Sequence, residues 1–464
     1  MKPKVMPENN QTAEPSAWQG PPVAFFWDQS LVWGLICRQT LRQLRIPFHL
    51  LSGADIGAGA LASYRVLLAP GGWAAHKIRA LGKAGRDHIA RFIERGGSYL
   101  GFCGGAGMAL SSPPSLELTP FERVPPTERL PNASGGVIVR GIVGHPAWQG
   151  LPEDIPTSIW WPAQFSWQFL PRSLCLGFYK APGEDFWVAD LPLADFRGRQ
   201  MNWADWENVY GINLDPQRLL GLPAILETRR GRGRLILSYP HMETPGDSLA
   251  NRLLGNVLGY LDNHSAKHLG AVQTAPAPAA IPRFPPGRAT IRLLEEINDR
   301  VRELIAFGER QLLWFRYRPW LLRWQRGIRG LEYSMLAVSS DFLLKLAKQL
   351  AAAAKPVKAD PWLEPVRRLQ VDVDEFCSQA KILLTEEKLA AQTGQLTKLG
   401  SVNERVDLLR KGLFGARMNH GGLCRQMFDA FDGMLLQLLR QAETRPAGSK
   451  DGAEGEVVID GVSR

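Results

Sequence analysis

Cysteine is scarce and scattered: the 464 residues hold five, at positions 37, 103, 175, 377 and 424. Their spacing matches no metal-ligand pattern and their odd number leaves no closed disulfide framework. This excludes a disulfide-stapled secreted scaffold and makes a reducing, cytoplasmic setting the expectation. Also missing is any uncharged run long enough to span a membrane, and residues 1–22, polar and proline-containing, carry no apolar stretch of the secretory-signal kind. No nucleotide-binding motif and no metal or other cofactor motif is visible, so no cofactor is expected. What remains is the composition of a soluble globular protein, 45% hydrophobic and 22% charged, long enough for two or three domains. The net charge of +10 is modest for this length and does not imply nucleic acid; residues 283–445 carry most of it, with 27 Lys and Arg against 19 Asp and Glu.

After a flexible arm, 1–22, apolar runs alternate with helical patterns. Strands are expected at Val23–Trp27, Ile46–Leu51, Tyr64–Ala69 and Ser98–Gly101, with a helix following Ser30 and an amphipathic one over Lys83–Glu94. That rhythm predicts a parallel sheet with helices on both faces. Further strands are expected within 113–239, a region rich in proline, glycine and tryptophan. Its densest aromatic group, Trp160 to Trp167, reads as packing or as a wall over a substrate cleft. A helix over Asn251–Asp262 closes the unit.

Three segments carry chemistry. Gly101-Phe-Cys-Gly-Gly105 joins a strand to a small-residue run through one cysteine. This is the pattern of a nucleophile elbow, and a helix starting near Gly105 would favour the thiolate. A lone cysteine at a strand end is otherwise a small core residue. Pro70-Gly-Gly72 falls at the end of the preceding strand, where α/β sheets place their ligand sites. Pro240-His-Met-Glu243 follows the buried run Leu235–Tyr239, and in extended chain His241 and Glu243 share one face. A thiol, a base and an acid to orient the base form the set that nucleophilic acyl chemistry requires.

Leu68-Ala-Pro-Gly-Gly72, Gly101-Phe-Cys-Gly-Gly105 and Pro240-His-Met-Glu243 resemble the three catalytic segments of class I glutamine amidotransferase-like domains. The version they resemble is the N-terminal domain of eukaryotic-type biotin–protein ligases, also present in separate bacterial proteins. The resemblance covers 23–263. It implies a flavodoxin-like, amidotransferase-type α/β fold, a nucleophile at Cys103, a His241/Glu243 pair, and an oxyanion hole from the backbone N–H groups of Gly72 and Gly104. Biotin ligation is not implied, because no ligase catalytic domain follows. A glutamine-recognition segment is sought around Phe165–Leu170.

Beyond 263, a Pro/Ala-rich linker spans 264–288 and an all-α helical bundle is expected over 289–445, with a disordered tail at 446–464. Within the bundle, residues 312–329 hold five arginines, three tryptophans and no acid. Such a stretch suits a domain interface with snorkelling arginines, an anionic membrane surface, or, least of the three, nucleic acid. Two functions are expected of the whole. One is a Cys-His-Glu hydrolase acting on a small-molecule or other amide or acyl substrate, with a synthetase partner in another chain if it releases ammonia from glutamine. The other is a non-catalytic binding or regulatory module whose helical domain, 289–445, recruits a partner, a membrane surface or another copy of itself.

Overall fold

The computed structural model describes residues 18–166, 174–270, 284–353, 360–394, 400–416, 421–443 and Ile459. Four strands, β1 (Val23–Phe26), β2 (Phe48–Leu51), β3 (Val66–Ala69) and β4 (Ser98–Phe102), lie parallel in the order β2-β1-β3-β4. β5 (Ala133–Gly141), β6 (Asp154–Trp160), β7 (Cys175–Pro182), the short β8 (Trp187–Val188) and β9 (Leu191–Pro192), and β10 (Pro223–Arg230) continue the sheet on the far side of β11 (Gly233–Ser238). β11 pairs parallel with β4 and antiparallel with β10, so it joins the two halves. The parallel half has the flavodoxin-like order, with β11 in the fifth place.

Strand burial explains why these runs are continuously apolar. Phe25, Leu68, Leu100, Phe102 and Ile236 enter the core on one face, while Phe26, Leu67, Tyr99, Leu235 and Leu237 enter the core on the other. Alternate residues face opposite ways, and both faces are covered, so no polar alternation survives. α1 (Leu31–Gln43) and α6 (Ser248–Leu269) pack on the first face. α2 (Gly53–Gly57), α3 (Ala74–Glu94) and α4 (Gly104–Met108) cover the second. α5 (Trp203–Tyr210) lies within the β7–β10 connection. The C-terminal region contributes α7 (Arg288–Arg310), α8 (Gly330–Ala352), α9 (Leu363–Gln392), α10 (Glu404–Phe414) and α11 (Gly422–Glu443). None of the described helices is long and apolar enough to cross a membrane.

Four expectations need correction. The region 289–445 is not all helical: Trp314–Arg318 (β12) and Leu321–Trp324 (β13) form an antiparallel hairpin. The run there, aromatic and without β-branched residues, reads as helix only if its partners are ignored, and those partners lie in the first domain. The closing helix does not stop at Asp262 but continues to Leu269, burying Ser265 against Ser98, so the boundary at 263 cuts a helix. Of the proposed linker, 271–283 lies outside the described residues. Of the proposed arm, Trp18 to Pro22 packs onto the domain, with Trp18 set against the first core, while 1–17 lies outside the described residues, as does 446–464 apart from Ile459. Lastly, the helix over Lys83–Glu94 begins earlier, at Ala74, with a break at Gly82 (φ 58°, ψ −170°) where only glycine sits without strain.

The two regions share one core. Trp27, Trp33 and Trp160 belong to the same buried cluster as Trp320, Leu435 and Leu439.

Candidate active site

β3, β4 and β11 are neighbours, with Ala69 paired to Gly101 and Ser238 to Phe102, so their carboxyl ends finish side by side. The three segments singled out in the sequence leave the sheet at those ends. Cys103 follows β4 with φ 44° and ψ −103°, a strained conformation for a residue with a side chain. The turn is held by Cys103 N–H donating to the Ser238 carbonyl at 2.8 Å and by the Cys103 carbonyl accepting from Gly107 N–H at 2.8 Å. Glycine is required around it by space: a Cβ on Gly105 would stand 1.9 Å from the Ala69 carbonyl oxygen, and one on Gly104 would stand 1.8 Å from that of Gly72. Gly72 and Gly104 are thus brought together beside the half-buried cysteine. Gly104 opens α4, and its N–H is one of the free donors at a helix start. With five residues α4 offers little dipole, so the expected helix effect on the sulfur is smaller than a full helix would give.

His241 and Glu243 are fully buried, with His241 Nδ1 2.7 Å from Glu243 Oε1. The pairing matches the His-x-Glu spacing, but the backbone differs from the extended chain assumed for it. Thr244 N–H donates to the His241 carbonyl at 3.0 Å, so the segment is a turn that folds the carboxylate back to the ring. The turn is pinned from several sides. Thr40 Oγ1 donates to the Glu243 carbonyl at 2.7 Å, Asn251 Nδ2 donates to the carbonyls of Met242 and Thr244, and His241 N–H donates to the Ser158 carbonyl at 2.8 Å. Burial acts to lower the imidazole pKa, but the Glu243 charge beside Nδ1 and the Cys103 sulfur on the other side raise it to about 10. His241 Nε2 is buried, and with Nδ1 taken by Glu243 the Cys103 sulfur is the group that acts on it. It is the atom left for chemistry with the cysteine.

Aromatic residues complete the surroundings, most from the two tryptophan-rich stretches and one, Trp33, that no local pattern marks. Trp33 packs on the His241 ring at 4.9 Å between centroids, Trp320 of the hairpin packs edge-on to Trp33 at 5.6 Å, and Trp160 meets Trp320 at 4.8 Å. Trp161 stacks on Trp324 at 5.0 Å. The arginine- and tryptophan-rich stretch therefore sets Trp320 and Trp324 against the first domain, and Trp314 is buried beside Tyr333. Phe165 packs on Tyr239 at 4.2 Å, whereas 167–170 of the segment expected to recognise glutamine lies outside the described residues.

Beneath Gly72 is a buried charged cluster. A Cβ at Gly72 would lie 2.2 Å from the Gln29 carbonyl oxygen and 3.1 Å from Lys77 Cε. Lys77 Nζ donates to Ser30 Oγ at 2.5 Å and to the Asp28 carbonyl at 3.1 Å. Asp432 of α11 accepts from Gln29 N–H at 2.8 Å, across 403 residues of sequence, and its carbonyl accepts from Trp27 Nε1. Burial pushes the Asp432 carboxyl up and the Lys77 ammonium down.

Residues 61–112, which include the Pro70-Gly-Gly72 turn and the Cys103 elbow, match the family described as biotin-protein ligase, N terminal. No curated protein matches the chain. Among solved structures, a Thermoplasma acidophilum protein described as a GMP synthase subunit is similar over 53% of this chain and 95% of its own, at 12% identity and TM-score 0.31. A glutamine amidotransferase from Thermotoga maritima is similar over 52% of this chain and 98% of its own, at 14% identity and TM-score 0.30. The β-galactosidase from Bacillus circulans sp. alkalophilus covers a similar share, 52% of this chain and 31% of its own, at 12% identity and TM-score 0.31.

Proposed function

We propose that the α/β region is an amidotransferase-type cysteine hydrolase acting on an amide or acyl carbonyl. One observation carries the reading: a cysteine strained at φ 44° on a strand end, beside a buried histidine held 2.7 Å from a buried glutamate on the neighbouring strand end. In this reading Cys103 Sγ attacks the carbonyl carbon and the carbonyl oxygen becomes an oxyanion facing the N–H groups of Gly72 and Gly104. His241 Nε2 takes the thiol proton and gives it to the departing amine as the C–N bond breaks, leaving an acyl-cysteine that water then hydrolyses. Glu243 holds Nδ1–H and supports the imidazolium formed on the way. The raised imidazole pKa favours a standing imidazolium, which supplies a counter-charge for a thiolate nucleophile. Should the amide be that of glutamine, the ammonia released needs an acceptor enzyme in another chain.

The test is alkylation of the full chain by iodoacetamide at pH 7, with the site of labelling read by mass spectrometry. Cys103 is expected to react faster than a free thiol, and the His241→Ala variant is expected to lose that advantage. A rate no faster than the free thiol, unchanged by the substitution, would leave the non-catalytic binding module as the surviving reading.

A further inference from the structure

Two arginines stand beside Cys103 without a counter-charge. Arg123 and Arg129 belong to the connection between α4 and β5, where no spacing or motif sets them apart. Arg129 Nε and Nη1 are buried and make no hydrogen bond, and Arg123 Nε is in the same state. Arg123 Nη2 reaches only the Gly107 carbonyl, at 3.4 Å. Tyr239, which is 1% exposed and lies just beyond the strand that leads to His241, directs its hydroxyl to the same place, where Arg123 is its polar neighbour. The hydroxyl of Tyr179, also 1% exposed, makes no hydrogen bond. The electrostatic neighbours of Arg129 are Tyr239, Arg123 and Cys103, with no carboxylate among them, and burial lowers its pKa. The same sulfur acts on both tyrosines.

The well-buried Arg38, Arg234 and Arg410 are each paired with a glutamate, Glu443, Glu227 and Glu387 respectively, and the buried Arg323 lies over the rings of Trp187 and Tyr317 and donates to Ser134. Among the described residues neither Arg123 nor Arg129 has an acidic partner. An unbonded buried donor carries a desolvation cost that is larger when it is charged, and two like charges side by side add repulsion. The cluster has two cations, several idle N–H donors and the idle Tyr179 hydroxyl beside Cys103. Its chemistry is complementary to an oxyanion, for which guanidinium offers planar, bidentate donors.

We propose that the space bounded by Arg123, Arg129, Tyr179 and Tyr239 binds an anionic oxygen group, carboxylate or phosphate, carried by the substrate whose carbonyl meets Cys103. The inference rests on the reading of Cys103 as the nucleophile and adds the substrate feature that reading leaves open. Bound there, the anion satisfies the idle donors and fixes the distance between itself and the carbonyl, which selects substrates by charge and length.

The experiment uses the full chain and two reagents of nearly equal size, anionic iodoacetate and neutral iodoacetamide. The ratio of their rates at Cys103 is compared with the same ratio for a free thiol. The expected outcome is a ratio raised by about 10-fold or more at low salt, as a cationic cleft concentrates anions, and falling as ionic strength reaches about 0.15 M. Arg129→Gln and Arg123→Gln should each bring it down. Acetate and inorganic phosphate are added in parallel, and the one that protects Cys103 at lower concentration identifies the group. A wild-type ratio equal to that of the free thiol overturns the inference while leaving a reactive Cys103 intact, and this result needs no variant to fold. If neither reagent labels Cys103, the nucleophile reading fails and this inference falls with it.

Discussion

Replacing Glu243 with glutamine isolates what holds the candidate base in its charged form. His241 is fully buried, and its pKa stands at about 10 against an ordinary 6.5. At about 1.4 kcal/mol per unit, that difference corresponds to a net preference of about 5 kcal/mol for the charged ring, with Glu243 and Cys103 together outweighing burial. A histidine whose folded-state pKa is raised contributes its full stability below pH 6.5 and loses it as pH rises through about 10. Glutamine keeps the size of glutamate and can still accept a hydrogen bond from Nδ1, but it offers no charge, so burial then drives the ring toward its neutral form. The wild type should therefore melt above Glu243→Gln by about 5 °C at pH 6, and the gap should close steadily up to pH 10. Lys77 and Asp432 titrate in both proteins and cancel in the difference. Melting curves recorded at half-unit pH intervals supply the data. A gap that stays constant from pH 6 to pH 10 would refute the imidazolium–carboxylate pair, whatever its size.

The interface between the two regions makes two further predictions. Trp320→Ala removes the ring that contacts both Trp33 and Trp160; a loss of about 3–5 kcal/mol is expected from the emptied volume, together with faster labelling of Cys103 by bulky maleimides as the packing over Trp33 and His241 opens. Unchanged melting would mean that the hairpin is not seated on the first domain. Asp432→Ala strands the Gln29 N–H and leaves Lys77 buried with less compensation, at a cost of about 3–5 kcal/mol, whereas Asp432→Asn retains an acceptor and should recover part of it; equal melting of the two variants would rule out the hydrogen bond as the source.

What could be read from the sequence, and what could not, divides by the distance over which each role is set. The parallel half of the sheet was legible because burial on both faces leaves unbroken apolar runs, and each run ends in the glycines that its turn needs. Cys103 was legible for the same local reason. Its elbow needs glycine at 101 and 105, since a Cβ at either would meet backbone at 2.7 Å and 1.9 Å respectively, and that need is written two residues to each side. The His241/Glu243 pair was legible through its spacing even though the backbone between them turns where extended chain was expected. The hairpin at 314–324 was not legible as a hairpin. Tryptophans and arginines in that order fit a helix, a membrane face or an interface equally, and the deciding contacts are with Trp33, Trp160 and Trp161, far upstream. Asp432 is the extreme case, a single aspartate in an amphipathic helix whose partner lies 403 residues away. Arg123 and Arg129 belong with it for a different reason. Their distinguishing property is that no acid pairs with them among the described residues, and the neighbouring Glu122 and Glu128 in the sequence suggest the opposite. Local backbone constraints leave spacings that can be read, while charge balance inside a fold leaves none. The candidate nucleophile could therefore be named from the sequence, but the feature proposed to select its substrate could be found only in the structure.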